Sequence, residues 1–359
     1  MTVPRAPRRR HRLDVVSANP DYVGRLADAY HAFLFFCTNA ICASFSPRTS
    51  VSGTDLALRR YVQWCHDHRR PQSEAVYAII AVQHKFCLRH RLPRAWHAVR
   101  LWKQYEPGHP RVPLPFSVLQ LLFTTCLSRS STACSFDRVL WLCAGIIFYV
   151  GYVAMLRPGE MAQLLRQDAV FQNELLSMSS RFGVLSLFAP KNRRTLGVRQ
   201  FTVIECDVAT SWLCWLCHDL PEHCAVCPCS LEKLRDMFKE LCVLYDLILF
   251  TLACVRTGGA CEFFRLHDHN LGRLQYAGRW GCEATVRHYL QSAMSSLALA
   301  RVPPKTCAVI EKLHDVLPLL STPPQVSCRE WLGEDLHLRR VAVGLARGRQ
   351  ELRRRRLDL

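Results

Sequence analysis

Acidic side chains are in short supply in this chain of 359 residues. Asp and Glu number 29 against 47 Lys and Arg, for a formal net charge of +18. That deficit argues against a cationic partner and for a polyanion, either nucleic acid or an acidic membrane surface. Arginine dominates the excess, and its planar fork suits phosphate better than a lysine does. The start, "MTVPRAPRRRHRLD", carries charge but no apolar stretch of the secretory kind, so the reading is a nuclear or cytoplasmic protein without a secretory signal. The 19 cysteines are then expected to be reduced and mostly buried rather than paired. No internal repeat is evident, which excludes solenoids and propellers. Charge is missing altogether from Val139–Leu156, "VLWLCAGIIFYVGYVAML". Such a run is at the lower limit for a membrane span and equally suits a helix buried on all sides; the two glycines and the following "RPGE" fit either.

Half of the residues are apolar, enough to bury a large core, and the length allows two domains or more. Residues 1–50 read as a basic N-terminal arm followed by a short helix. Residues 51–105 read as a helical domain, its first helix capped by Thr54 or Asp55 and presenting Leu56, Leu58, Tyr61, Val62 and Cys65 on one side. The stretch "EPGHPRVPLP" has the proline density of a linker, placed at 106–116. Residues 117–300 form the second domain: two helices, two β-prone runs ("RFGVLSLFAP" and "GVRQFTVIEC") around the polar "KNRRTL", then helices again. The remainder, 301–359, reads as a basic tail ending in "RRRR". The fold class expected is mainly α with a small β-sheet, α+β.

Four pieces of the second domain stand in a telling order. "LRPGE" holds Arg157 and Glu160; "APKNRRT" holds Lys191 at the tip or edge of the hairpin; "CVRTGGACEFF" holds Arg256; "GRWGCEATVRHYL" holds Trp280 and, nine residues on, Tyr289. Taken singly, an arginine at a helix end is ordinarily a cap, and a tyrosine beside Val286, Leu290, Ala293 and Leu297 is ordinarily a core aromatic. Taken in order and spacing, the set resembles the catalytic domain of the tyrosine recombinases, the phage-integrase family, over roughly residues 50–300. The resemblance implies a helical core-binding domain followed by the catalytic domain, the two forming a clamp around duplex DNA. It implies DNA cutting and rejoining through a 3′-phosphotyrosine, an origin in a eukaryotic mobile element, and assembly of several copies on DNA. It implies no cofactor, no metal, no small-molecule substrate and no membrane.

The chemistry needs these residue types. A phosphodiester attacked by a phenol passes through a pentavalent state with extra negative charge, which Arg157 and Arg256 can grip through charge-assisted hydrogen bonds. Lys191 can protonate the departing 5′ oxygen, Trp280 can donate its indole N–H to a phosphate oxygen, and Tyr289 is the nucleophile. Glu160 would orient Arg157 or another member of the site. The covalent link conserves the bond energy, so neither ATP nor metal is required. One member departs from the pattern: where relatives carry histidine three residues before the second arginine, this chain has Ala253, which moves no proton. Thr257 stands where relatives often have a further histidine, and His267 and His269 do not match in spacing. The alternative is therefore a decayed relative that binds DNA without cutting it; an unrelated membrane protein is the third reading.

"CWLCHDLPEHCAVCPC" supplies Cys214, Cys217, Cys224, Cys227 and Cys229 with His218 and His223, a composition that zinc accepts. Only six residues separate the two CxxC pairs and the first pair lies in a helical pattern, so no zinc is expected. From the charge alone, duplex DNA binding is expected to weaken steeply with salt, log K falling linearly with log salt concentration. Titration at several salt concentrations checks this; a flat dependence excludes a nucleic-acid partner.

Overall fold

A computed structural model describes residues 20–40, 50–107, 111–171, 182–188, 190–192, 196–290 and 292–332. The expected N-terminal arm at 1–19, the "RRRR" end and residues 193–195 of the hairpin connection lie outside them. The chain divides into two compact units at His109 and Pro110.

The first unit is four helices: α1 (Pro20–Ala40), α2 (Val51–Asp67), α3 (Gln72–Lys85) and α4 (Pro93–Tyr105). Its centre is aromatic. Phe33 and Phe36 of α1 meet Tyr61 of α2, with ring centroids 5.4 and 5.2 Å apart, and Tyr61 sends its hydroxyl to Glu74 of α3 at 3.0 Å. This corrects two expectations. The first helix is not a short element of an arm ending at residue 50: Ala29, Phe33, Phe36 and Cys37 are buried in the same core as α2–α4. Nor does Thr54 or Asp55 cap α2. Ser50 does so, accepting from the Gly53 N–H at 3.1 Å, while the Asp55 carboxylate reaches across to the Arg94 and Ala95 N–H groups at 3.0 and 2.9 Å. Helix α4 begins with Leu92 and Pro93, which offer no side-chain oxygen, so its orphan donors take a carboxylate from a neighbouring helix.

The second unit is built on α6 (Ser135–Val153), the apolar segment of the sequence, laid back against α5 (Phe116–Thr132) after two residues. By length and composition α6 would also serve as a membrane span; here 72% of its Phe136–Val153 window is buried within the protein. Short α7 (Pro158–Gln163) leads to a three-stranded antiparallel sheet, β1 (Ala169–Phe171), β2 (Gly183–Phe188) and β3 (Arg199–Ile204), in that order. The expected hairpin is β2–β3, with Gly183 opposite Ile204 and Phe188 opposite Arg199. Strand β1 was not legible, since three residues show no alternation. Helices α8 (Asp207–His218), α9 (Leu231–Leu244), α10 (Leu252–Leu266), α11 (Leu271–Ala277), α12 (Glu283–Tyr289), α13 (Ser292–Ala300), α14 (Pro304–Leu313) and α15 (Cys328–Leu332) follow. The mainly α, small-sheet class is the one observed.

The tail expected from residue 301 is, through Leu332, part of this unit. Thr306 donates to the Tyr245 carbonyl at 2.9 Å, and the indoles of Trp212 and Trp215 donate to the carbonyls of Leu320 and Val326 at 2.9 and 2.8 Å. Backbone oxygens of the last described segment thus satisfy the indoles of buried Trp212 and half-buried Trp215.

The pair Gly258–Gly259 brings α10 against α6. A Cβ on Gly259 would overlap the Tyr152 carbonyl, and one on Gly258 the backbone of Leu114, whose N–H donates to Cys254 at 3.2 Å. Gly259→Ala is expected to cost about 1–3 kcal/mol, the scale of overpacking a fitted core. Gly24→Ala, on an exposed stretch of α1 with open space at the Cβ, is expected to stabilise by about 0.5–1 kcal/mol. Urea unfolding midpoints separate the two.

Candidate functional site

The "RPGE" motif is first a helix start. Pro158 fills the first turn of α7, where a missing N–H is harmless, and Glu160 returns its Oε2 to the Arg157 N–H at 2.9 Å. The other oxygen of Glu160 accepts from Arg157 Nη1 at 2.6 Å. Arg157 is half-buried, and the three-residue spacing brings its guanidinium to Glu160.

Arg256 comes from the second turn of α10 and is 3% exposed. Its Nη1 donates to the Met155 carbonyl just beyond α6, and its Nη2 to the Gly278 carbonyl at 2.6 Å. Its guanidinium carbon stands 4.5 Å from the Trp280 ring centre and 5.9 Å from that of Tyr289. The rings of Trp280 and Tyr289 are themselves 5.1 Å apart, so the nine-residue spacing brings them together through a turn and the length of α12. Trp280 is buried, and Gly278 is required beside it: a side chain there would overlap the indole. Tyr289 also borders a small core of Met155, Ala260, Leu274 and Val286, so the core-aromatic role and the site role coincide in one residue.

A third arginine belongs to the cluster and was missed. Arg279, 5% exposed, donates from Nη2 to Glu160 Oε2 at 3.0 Å and to the Met155 carbonyl at 3.1 Å. The signal lay inside "GRW", in the residue between the two singled out for packing and for donation. Lys191 is exposed in the turn after β2. Its neighbour Asn192 donates to the Arg279 carbonyl at 2.7 Å and accepts from Gln200 of β3 at 3.1 Å, which brings this end of the hairpin connection to the cluster. Arg157, Glu160, Arg256, Trp280 and Tyr289 are thus drawn together from α7, α10 and α12 with the turn before it.

Ala253 is half-buried on the first turn of α10, one turn before Arg256, and supplies no titratable group. His267 lies past the far end of that helix, about 20 Å along its axis. It stacks on Phe263 at 3.8 Å, with Glu205 3.7 Å from its Nε2. His269 packs edge-on to Phe264.

Charge balance defines the site. Three guanidiniums face one carboxylate. Burial pulls the Arg256 guanidinium down to about 9, with Arg279 and Arg157 adding to the effect, and burial pulls Arg279 down to about 10. Burial pushes the Glu160 carboxyl up, but Arg279, Arg157 and the Arg157 N–H together outweigh it and hold the group below its usual range. Among the described residues, Arg256 Nε, Arg279 Nε, Trp280 Nε1 and Thr257 Oγ1 are buried without a hydrogen-bond partner. Orphan donors beside surplus positive charge are what an anion would satisfy.

Among the described residues no group of three or more His, Cys, Asp or Glu side chains has the arrangement of a metal site. Cys217, Cys224, Cys227 and Cys229 are buried in the second unit, with the sulfurs of Cys227 and Cys229 3.4 Å apart.

Glu160 ties the site to pH. Its folded pKa is depressed, so between that value and its ordinary one the unfolded chain binds the extra proton, and stability falls as pH drops through this window. Glu160→Gln is expected to flatten that acid limb, below about pH 4.3, in a plot of unfolding free energy against pH. No family model and no curated protein matches this chain.

Proposed function

We propose that the second unit binds one phosphodiester of duplex DNA and cuts and rejoins the strand through Tyr289. The observation that carries this reading is the convergence of Arg157, Arg256, Arg279 and Trp280 beside a tyrosine, with buried N–H donors left over. The Tyr289 oxygen attacks phosphorus, the bond to the 5′ oxygen breaks, and the electron pair leaves on that oxygen, which takes a proton from the Lys191 ammonium. Phosphorus stays on Tyr289 as a 3′-phosphotyrosine until a 5′ hydroxyl reverses the step. The guanidiniums stabilise the extra charge of the pentavalent state, and the deficit of carboxylates around them keeps that capacity free for substrate. The phenol proton passes to solvent water, since Ala253 stands where an imidazole would take it. This absence favours a second reading, a relative that holds DNA at the same cluster without cutting.

Suicide duplexes, nicked so that the released strand diffuses away, discriminate the two. A covalent adduct is expected with the parent chain and lost in Tyr289→Phe, which keeps folding and DNA binding. Ala253→His is expected to raise adduct formation by about 100-fold or more, the scale of an acid–base group. If a folded Ala253→His chain and its parent both fail to form adduct, the non-cutting reading stands.

A further inference from the structure

We propose that Arg279 is the positioning residue of this site, setting the Arg157 guanidinium through Glu160 and the Lys191 turn through Asn192. The inference rests on the phosphate-binding reading and assigns one of its three arginines a role that acts through the others.

Arg279 makes contacts in three directions. Its guanidinium reaches the carbonyls that end α6, at 3.5 Å to Ala154 and 3.1 Å to Met155. The same Nη2 meets Glu160 Oε2 at 3.0 Å. Its own carbonyl receives Asn192 Nδ2 at 2.7 Å. Its backbone is left-handed, φ +57, where α11 ends and the N–H groups of Arg279 and Trp280 return to the carbonyls of Tyr276 and Gln275. That conformation lets one residue turn its side chain to α6 and α7 while its carbonyl faces the hairpin connection.

The position of Arg157 follows. Glu160 has one oxygen on Arg157 Nη1 and the other on Arg279 and the Arg157 N–H, so the carboxylate is shared. Without Arg279, a carboxylate 9% exposed keeps a single arginine, and either swings or takes a proton. Arg157 then loses the plane in which it meets a phosphate. Lysine cannot replace Arg279: a single ammonium does not span carboxylate and two carbonyls as a fork does.

The test is a double-mutant cycle on binding, which works whether or not the chain cuts DNA. The probes are a duplex at fixed salt and inorganic vanadate, which mimics the pentavalent phosphate. Arg157→Gln is expected to weaken vanadate binding about tenfold, the scale of one charge-assisted contact. Arg279→Gln is expected to weaken it by a similar factor, and the double variant by no more than about twofold beyond either, because Arg279 acts through Arg157. Glu160→Gln with Arg279→Gln removes both buried charges, keeps the melting temperature near that of the parent, and is expected to bind as poorly as Arg279→Gln alone. Losses that multiply in the Arg157/Arg279 double variant overturn the positioning role, as does full binding by Arg279→Gln. So does loss of the fold in both Arg279→Gln and the charge-neutral pair, which leaves Arg279 a structural residue. Indifference of vanadate binding to Arg157 and Arg256 overturns instead the phosphate-binding reading itself.

Discussion

One carboxylate sits among three guanidiniums, and the site depends on that imbalance. Removing an ion from water is costly, and a buried arginine survives only with acceptors to replace its hydration. Glu160 answers Arg157 and Arg279, but Arg256 has no carboxylate of its own. It is held by backbone carbonyls and by the face of Trp280. Carbonyl dipoles and an aromatic ring stabilise a cation without neutralising it. The cluster therefore keeps a net positive charge among buried side chains, where charges interact more strongly than on the open surface.

The carbonyls have to be brought to the arginines, and the backbone does so at two sharp points. Met155, φ +48, ends the long apolar helix and offers its oxygen to Arg256 and Arg279 alike. Arg279, φ +57, lies between Gly278 and Trp280 in the turn after α11. Left-handed backbone is unfavourable for such residues and persists where neighbouring contacts over-determine it. The glycine pair of α10 completes the geometry from the other side, since only a helix without Cβ atoms there lies close enough to α6 to place Arg256 at the end of that helix. Packing and chemistry share the same residues: the α6–α10 approach that fills the core also sets the separation of the arginine forks.

Much of the architecture was legible because its signals are local. Proline density marks the stretch in which the two units divide, alternation marks β2 and β3, and an uncharged run marks α6. The ordered spacing of Arg157, Arg256, Trp280 and Tyr289 named a cluster that the fold then gathers. Other features were not legible because their signals are relational. Asp55 caps a helix almost forty residues away, where no pattern of neighbours points. Helix α1 reads as a separate element until its phenylalanines meet Tyr61. The segment after residue 300 reads as a tail until its carbonyls meet two tryptophans.

The amino-acid sequence by itself determined the helical class with its small sheet, the surplus of arginine, the glycines that permit close packing, and an untitratable alanine at position 253. Each is a property of residue type or of spacing within one element, set by steric freedom and by charge. Only the tertiary structure decided that Arg279 joins the cluster, that Glu160 serves two arginines, and that Asn192 brings the Lys191 turn to them. The reason is physical: a buried charge takes its role from the dipoles and counter-charges around it, and those come from residues brought near only by folding.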